Sequence, residues 1–281
     1  MHEVEQAAVL ASVWAGLATA VGAALVFLGA GGRARRPCPS DRGFRSTLRR
    51  GLATPAAQAG MLGFTAGVMV MVAVGSLLPE AWSASRQARS VVMGVTAGVV
   101  SLAALDWLLV HHLPGQDIRA ADYRQGLLSL VALALHNLPE GMAVAVAYLT
   151  PHSRLGPLLA LGIALHNLPE GLAISTPLAA AGLPAWRAWE MAALTGLMEP
   201  LAALGTIGLL QLAQRWDWQG IWFARGSAWS SAYGLAAGAM MYVVLVEILP
   251  AVGRHRLSQR LAAGGLLTGV LLMGIAECWL G

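Results

Sequence analysis

Charged residues are scarce in this 281-residue chain, and their scarcity excludes an ordinary water-soluble protein. Only 11% of the residues are charged, while 57% are apolar; soluble domains carry about 25% charged residues. Lysine is absent, so all eighteen basic residues are arginines. The composition predicts an integral membrane protein, which we expect to form a single domain over residues 1–281.

Cysteine is almost absent as well. The chain has two, Cys38 and Cys278, which are predicted to lie on opposite sides of the membrane, and neither belongs to a CxxC pair. We therefore expect no disulfide between them and no cysteine metal site.

Eight apolar segments are each long enough to cross a membrane as a helix. A hydrocarbon core of about 30 Å requires roughly 20 helical residues. The segments, which we number as predicted spans one to eight, lie at about 7–29, 56–80, 91–110, 127–150, 155–181, 188–212, 230–250 and 260–280. The chain is therefore predicted to be an all-α protein with eight transmembrane helices.

The arginines predict the orientation of these spans. If the N-terminus lies outside, thirteen arginines fall in inner loops and five in outer ones, so the positive-inside rule places both termini outside. The arginines then serve topology, and no nucleic-acid partner is expected. The Arg-rich segment 31–50 is predicted to be a cytoplasmic linker, with attraction to anionic lipid as the lesser alternative. The acidic start MHEVEQ argues against a cleaved signal peptide.

The octapeptide ALHNLPEG occurs twice, at residues 134–141 and 164–171, in spans four and five. The midpoints of both copies lie fifteen residues from Ser153 in the intervening turn, which is about 22 Å along a helix. The copies are thus predicted at matched depth in two antiparallel neighbours. We expect them to build one site from two halves, related by a pseudo-twofold axis in the membrane plane.

Each copy combines an imidazole, an amide and a carboxylate. Residues four apart share a helix face, so His136 lies over Glu140 and His166 over Glu170. The asparagines point about 100° round each helix. The prolines free a backbone carbonyl and are expected to kink the helices. The asparagines are Asn137 and Asn167, and the prolines Pro139 and Pro169.

These groups suit a divalent cation. An ionised carboxylate at the membrane centre costs about 2.5–3.5 kcal/mol, and two facing carboxylates need a positive charge between them. Imidazole, carboxylate and amide oxygen favour Zn²⁺, Fe²⁺, Mn²⁺ or Co²⁺, whereas the lack of thiolate argues against Cu⁺. The alternative is that the polar groups only hydrogen-bond between helices, but an eight-residue repeat favours a ligand set.

Further candidates lie in other spans. Glu199, in span six, has a similar depth and is expected to close the site from a third helix. Met69, in span two, is either a soft ligand or ordinary core packing. Three acids nearer the span ends are either solvated at the interface or part of an ion path; they are Glu80, Asp106 and Glu247.

HNLPEG in two consecutive spans, MEP in the sixth and EILP in the seventh resemble the ZIP (Zrt/Irt-like) family of divalent metal transporters, in particular its GufA-like bacterial branch. The resemblance implies a non-enzymatic protein without a prosthetic group. It would move Zn²⁺, or Fe²⁺, Mn²⁺, Co²⁺ or Cd²⁺, into the cytoplasm. It also implies a homodimer in a bacterial cytoplasmic (inner) membrane, eight helices in a 3+2+3 arrangement with inverted pseudo-symmetry, both termini periplasmic or extracellular, and an elevator-type motion.

The resemblance also implies a site for two metal ions. The first would use Met69, His136, Glu140, His166 and Glu170. The second would use Asn137, Asn167 and Glu199, with Glu140 and Glu170 bridging; some relatives carry a carboxylate where this chain has Asn167, so this second site has less negative charge. The implied path to the cytoplasm includes Asp106, His111, His112 and Glu247, the last without the histidine that many members place where this chain has Val246, and Glu80 is a further candidate for the metal path.

Two other classes were weighed against metal import. An intramembrane metalloprotease needs HExxH, with a glutamate acting as general base between two histidines, and this chain has HNxPE instead. A cation-diffusion exporter usually has six spans and HxxxD pairs. Eight spans and two HNxPE copies favour import. Because protonation of the ligands lowers their metal affinity, we expect uptake to be either coupled to protons or inhibited by them.

Overall fold

The fold is known from a computed structural model that describes residues 2–27, 54–112, 134, 137–150, 154–180, 183–215, 226–252 and 256–280. Within these ranges every regular element is helical. The α-helices are α1 (His2–Ala24), α2 (Pro55–Val70), α3 (Leu78–Ser85), α4 (Ala88–His112), α5 (residues 137–149), α6 (Leu155–Ala180), α7 (Ala185–Gly196), α8 (Met198–Arg215), α9 (Ser227–Tyr242), α10 (Leu249–Ala251) and α11 (Arg256–Leu280). Two π-helical segments, π1 (Met71–Leu77) and π2 (Val243–Ile248), continue α2 and α9.

Seven stretches of the described residues are long and apolar enough to cross a membrane. They are Glu3–Ala24, Ala56–Ser85, Ala88–Leu108, Leu155–Thr176, Ala185–Leu212, Ser227–Ile248 and Arg256–Trp279. They correspond to predicted spans one to three and five to eight. Predicted span four, 127–150, is described only at 134 and 137–150, and the Arg-rich segment 31–50 lies outside the described residues. The described part of the chain is therefore all-helical, as expected of a membrane protein.

Three predicted spans depart from a simple α-helix. Span six is two helices, α7 and α8, separated at Leu197; Pro200 has no amide hydrogen with which to reach the carbonyl of Gly196, four residues earlier. The N-terminal parts of spans two and seven are α-helical, but each widens into a π segment before a Leu-Pro pair. Proline position thus explains departures that apolar length alone does not predict.

Glycines allow the helices to pack with their backbones in contact. A Cβ added at Gly63 of α2 would lie 2.0 Å from the carbonyl oxygen of Ala262 in α11, and one at Gly98 of α4 would lie 2.1 Å from that of Leu235 in α9. Such spacing is possible only without a side chain, and it is the usual way in which helices associate closely in lipid. The pairs α2 with α11 and α4 with α9 are therefore tightly joined.

The described helices form two bundles. In the first bundle, α1 packs on α6, α7 and α8, and α5 joins it through a cluster that includes Ala8, Ala145 and Ala203. The second bundle comprises α2, π1, α3, α4, α9, π2, α10 and α11. The bundles meet where α2 packs on α6 and through a buried cluster in which α5 packs with α2 and α9. Both copies of the repeat, on α5 and α6, belong to the first bundle.

Two contacts join helix ends that the predicted topology places on the same side of the membrane. Glu5 near the start of α1 accepts a hydrogen bond of 3.0 Å from Gln211 near the end of α8. Gly226, before α9, lies against the carbonyl of Ala84 at the end of α3. The outer or inner side of the membrane to which each end belongs stays a prediction.

Adjacent glycines on α11 allow a matched test of this packing. An added Cβ at Gly265 would lie 2.1 Å from the carbonyl oxygen of Gly60, whereas one at Gly264 meets nothing within 4 Å. We expect Gly265→Ala to lower the free energy of unfolding by about 1–3 kcal/mol, because α11 must move away from α2. Gly264→Ala should change it by less than about 1 kcal/mol. Thermal unfolding midpoints of the purified chain in detergent measure both, and equal midpoints would contradict the packing.

Candidate metal site

The two copies of the repeat meet in the interior of the first bundle. Nε2 of His166, from the second copy, lies 2.8 Å from Oε1 of Glu140, from the first copy, and both side chains are fully buried. This contact joins α6 to α5. The two copies are therefore in contact at these two residues, whereas their role as halves of one metal site stays a prediction, and His136 lies outside the described residues.

The orientation of the His166 ring determines what can lie between it and Glu140. Nδ1 is 3.1 Å from the carbonyl oxygen of Gly162, and a carbonyl accepts but never donates, so Nδ1 carries a hydrogen. In the neutral ring Nε2 is then a lone pair facing a carboxylate oxygen. Two acceptors at 2.8 Å require a proton or a metal cation between them. In metal sites, a hydrogen bond from the other ring nitrogen, like that from Nδ1 to the carbonyl oxygen of Gly162, orients the histidine.

Glu170 completes a group of three. One ligand atom from each of Glu140, His166 and Glu170 lies within 4.8 Å of the others, and all three residues are buried. Glu247, on π2, is close enough for its charge to act on Glu170. We call Glu140, His166 and Glu170 the metal cluster. Concentrated negative charge in a dry interior favours a bound cation.

Glu199 lies beside the metal cluster because the sixth span is interrupted. It stands in the first turn of α8, where the helix dipole stabilises a carboxylate. Its Oε1 accepts a hydrogen bond of 2.6 Å from Nδ2 of Asn167, and its charge acts with those of Glu140 and Glu170. Glu199 is fully buried. Glu199 therefore reaches the second copy of the repeat from a third helix, and its role in closing a metal site stays a prediction.

The two asparagines direct their nitrogens at backbone carbonyls. Nδ2 of Asn137 donates to the carbonyl oxygen of Thr195 at 2.9 Å, and Nδ2 of Asn167 also donates to that of Ala15 at 3.0 Å. The Oδ1 atoms of both asparagines and Oε2 of Glu199 are buried without a hydrogen-bond partner among the described residues. Three buried oxygen acceptors beside the metal cluster are suited to a second cation.

Backbone groups of α1 and of the α7–α8 junction are parts of the site that the sequence did not reveal. Ala15 supplies a carbonyl to Asn167, and an added Cβ at Gly141 of α5 would lie 2.1 Å from the carbonyl oxygen of Glu199. A carbonyl group is the same in every residue, so it has no signature in the sequence. The small residues in α1 were the only signal, and they indicate close packing rather than a role.

Met69 lies near the site without a described contact to it. Thr65, one turn earlier on α2, has its hydroxyl 3.5 Å from the carbonyl oxygen of His166, and Met69 is almost fully buried. The two residues share a helix face. This places Met69 on the side of α2 that faces α6, and its role as a ligand stays a prediction.

The residues assigned to the ion path lie in different parts of the structure. The hydroxyl of Tyr242 donates to Oδ2 of Asp106 at 3.0 Å, and Asp106 and Glu247 are close enough for their charges to interact. Glu80 is partly exposed, and no described contact joins it to the metal cluster. His111 and His112 end α4, but their side chains lie outside the described residues.

An all-helical membrane protein that buries three carboxylates and an imidazole side by side is a candidate for binding or moving a metal cation. The family model described as the ZIP zinc transporter matches residues 111–277. The chain therefore belongs to the ZIP family, which is a family of transporters and not of enzymes.

Relatives of similar length match most of the chain. It is 34% identical over 235 residues to the zinc transporter ZupT of Chlorobium chlorochromatii (strain CaD3), covering 76% of this chain and 83% of the relative. It is 35% identical over 194 residues to the zinc transporter GufA of Myxococcus xanthus, covering 68% and 71%. It is also 35% identical over 243 residues to the zinc transporter ZIPB of Bordetella bronchiseptica, covering 80% and 72%. The resemblance to the ZIP family, including its GufA-like branch, is confirmed.

The metal cluster leads to a binding prediction. We expect Glu140→Gln to weaken the binding of Zn²⁺ by at least about tenfold, because it removes one of three converging ligands and its charge. Glu190→Gln is the matched control, since Glu190 is exposed on α7. Isothermal titration of the purified chain with Zn²⁺ in detergent measures both. Unchanged affinity in Glu140→Gln would show that this cluster does not hold the ion.

Proposed function

We propose that the chain moves Zn²⁺, and related divalent ions such as Fe²⁺, Mn²⁺, Co²⁺ and Cd²⁺, across the membrane into the cytoplasm. The observation that carries the proposal is the contact of His166 with Glu140 beside Glu170, deep in a helical bundle. Its relatives ZupT, GufA and ZIPB are named zinc transporters. A buried site made from two antiparallel helices is the arrangement that inverted-repeat transporters use.

The proposed first ion is held by the metal cluster together with His136 and Met69. Neutral imidazole and carboxylate suit Zn²⁺. The orientation of His166 supports this assignment, because its only lone pair already faces Glu140. His136 is assigned by its place in the repeat, four residues before Glu140, and Met69 by its position one turn from Thr65.

The proposed second ion lies among the amide oxygens of Asn137 and Asn167 and the carboxylate of Glu199, with Glu140 and Glu170 bridging to the first. The acceptors without a partner support it. Two of these three ligands are neutral, so the second site is expected to bind more weakly than the first.

The proposed way out begins at Glu247. Its charge acts on Glu170 on one side and on Asp106 on the other, so three acids extend from the metal cluster toward the end of α4. His111 and His112 at that end of α4 are proposed to continue the path. Glu80, on α3 at the opposite end, is proposed to attract incoming ions.

The proposed motion is that the first bundle, which carries the metal cluster, slides as an elevator against the second. The extensive packing of α1 on α6 in the first bundle and of α2 on α11 in the second supports this, because each of these pairs would move as a unit. The proposed setting is a homodimer of single-domain chains in a bacterial cytoplasmic membrane, each with eight helices in a 3+2+3 arrangement and both termini outside. The contact of Gln211 near the end of α8 with Glu5 near the start of α1 supports the topology, which places both ends on one side.

Metal flux tests the proposal directly. Proteoliposomes containing the wild type should take up radioactive Zn²⁺, and His136→Ala and Glu170→Ala should each lower the initial rate at least about tenfold because a ligand is lost. Uptake should also fall from neutral to mildly acidic pH, because protons compete for the ligands. Glu190→Ala should transport normally. Mutant rates equal to the wild-type rate would contradict the assignment of His136 and Glu170 to the site. Flux that runs only outward would indicate an exporter.

The charge of the second site is tested by Asn167→Asp. This change replaces the amide that donates to Glu199 with a second carboxylate, so we expect the metal-free chain to lose about 2 kcal/mol of stability. Zn²⁺ should restore more stability to Asn167→Asp than to the wild type. Asn167→Ala loses the same hydrogen bond without adding charge, so it should show no enlarged response. Thermal unfolding with chelator and with saturating Zn²⁺ measures these changes, and equal Zn²⁺ responses in both variants would contradict a cation here.

A further inference from the structure

A cavity of about 700 Å³ lies away from the metal cluster, between the start of α1 and the start of α6. Its polar lining residues are Glu3, Tyr148 and Arg154, and its apolar ones include Val4, Leu158 and Leu161. We call this cavity the surface cavity. Glu3 begins one candidate membrane span and Arg154 immediately precedes another, Leu155–Thr176. The surface cavity is therefore at the depth where a membrane meets water.

The two charged residues of the surface cavity have opposite signs and do not pair. Among the described residues neither Glu3 nor Arg154 forms an ion pair or a side-chain hydrogen bond, although both line the same cavity. The Tyr148 ring packs over Gly156, where an added Cβ would lie 2.6 Å from it, so the ring is held beside Arg154. A cation, an anion and a hydroxyl thus face one space large enough for a ligand.

The apolar side of the surface cavity continues along the helices toward the middle of the membrane. Val4 is 42% exposed, Leu161 45% and Leu168 36%. Leu161 and Leu168 are two turns apart on one face of α6. On α1 a further exposed stripe follows, consisting of Leu10, Trp14, Leu17 and Val21. A ligand with a charged end and a long apolar part fits this arrangement.

We propose that the surface cavity binds a zwitterionic phospholipid whose headgroup carries a phosphate and an ammonium. Arg154 and Tyr148 bind the phosphate, Glu3 binds the ammonium, and an acyl chain follows Val4, Leu161 and Leu168. Arginine is the preferred side chain for phosphate. Two other ligands fit the surface cavity less well. An anionic headgroup without an ammonium would place negative charge next to Glu3, and a metal cation would be repelled by Arg154.

Such a lipid contacts α1 and α6 at once. These helices also meet at the site, where Ala15 of α1 accepts a hydrogen bond from Asn167 of α6. A lipid bound at their ends stabilises the same helix pair that carries part of the site. The proposal does not depend on transport, because lipid binding is measured without any flux.

The test is lipid binding to the full chain, purified in detergent and depleted of lipid. Native mass spectrometry with added palmitoyl-oleoyl phosphatidylethanolamine, or with the matching phosphatidylglycerol, gives the affinity of each. We expect the wild type to prefer phosphatidylethanolamine by about tenfold, the effect of one charge-assisted hydrogen bond. Arg154→Gln should weaken both lipids, and Glu3→Gln should abolish the preference while leaving phosphatidylglycerol bound.

Two matched controls separate the surface cavity from general charge effects. Glu5 is on the same turn of α1 but accepts a hydrogen bond from Gln211, and Arg187 lies over the Trp186 ring on α7. Glu5→Gln and Arg187→Gln should bind both lipids as the wild type does. Glycerophosphoethanolamine, which has the headgroup without acyl chains, should bind far more weakly than the intact lipid, and equal binding would assign the cavity to a soluble phosphate compound instead.

Other outcomes overturn the proposal outright. Equal wild-type affinity for the two lipids would do so, as would lipid binding unchanged in both Glu3→Gln and Arg154→Gln. Loss of Zn²⁺ binding in Glu3→Gln, with the lipid preference intact, would show that the surface cavity receives the metal ion. Size-exclusion profiles and thermal midpoints like those of the wild type confirm that the variants are folded.

Discussion

The need to neutralise buried carboxylates determines most of this structure. Glu140, Glu170 and Glu199 are nearly or fully buried in an apolar bundle, where an unpaired negative charge is costly. No arginine is among the buried residues of the described ranges, and the chain has no lysine. Asn167 donates a hydrogen bond to Glu199, and Nε2 of His166 faces Glu140. Three ionised acids and one imidazole would still leave an excess of negative charge, which the proposed divalent cation would neutralise.

Close backbone packing is what brings these acids together. Gly141 of α5 lies against the carbonyl of Glu199, Gly16 of α1 against Gly196 at the end of α7, and Gly171 of α6 against the carbonyl of Thr19. Each contact is too short for a side chain. The glycine of each ALHNLPEG copy therefore has a role as definite as that of the histidine, because it holds a neighbouring backbone at the distance that the polar groups require.

The sequence predicted those features of the fold and the site that depend on helical periodicity and on the lengths of the apolar segments. The 30-residue offset of the two copies predicted that they meet, and His166 and Glu140 do. The position of Glu199 in a third helix was predicted from depth alone. The break at Leu197, the carbonyls of Ala15 and Thr195, and the π segments were not predicted, because they depend on backbone geometry that neighbouring helices impose. The surface cavity was also missed, since Glu3 and Arg154 are 151 positions apart in the chain.

The π segments follow from proline in the same way as the break in span six, but with a different result. In π1 the amide of Leu78 bonds the carbonyl of Ala73, and in π2 the amide of Leu249 bonds that of Val244, each five residues earlier. Pro79 and Pro250 follow immediately. A wider turn accommodates the proline ring without ending the helix, and it adds a residue that rotates the side chains beyond it. Within π1 Ser76 donates a hydrogen bond to Glu277 of α11, and π2 carries Glu247, whose charge acts on Glu170. Spans two and seven thus each carry a polar residue on a π-helical turn that precedes a Leu-Pro pair.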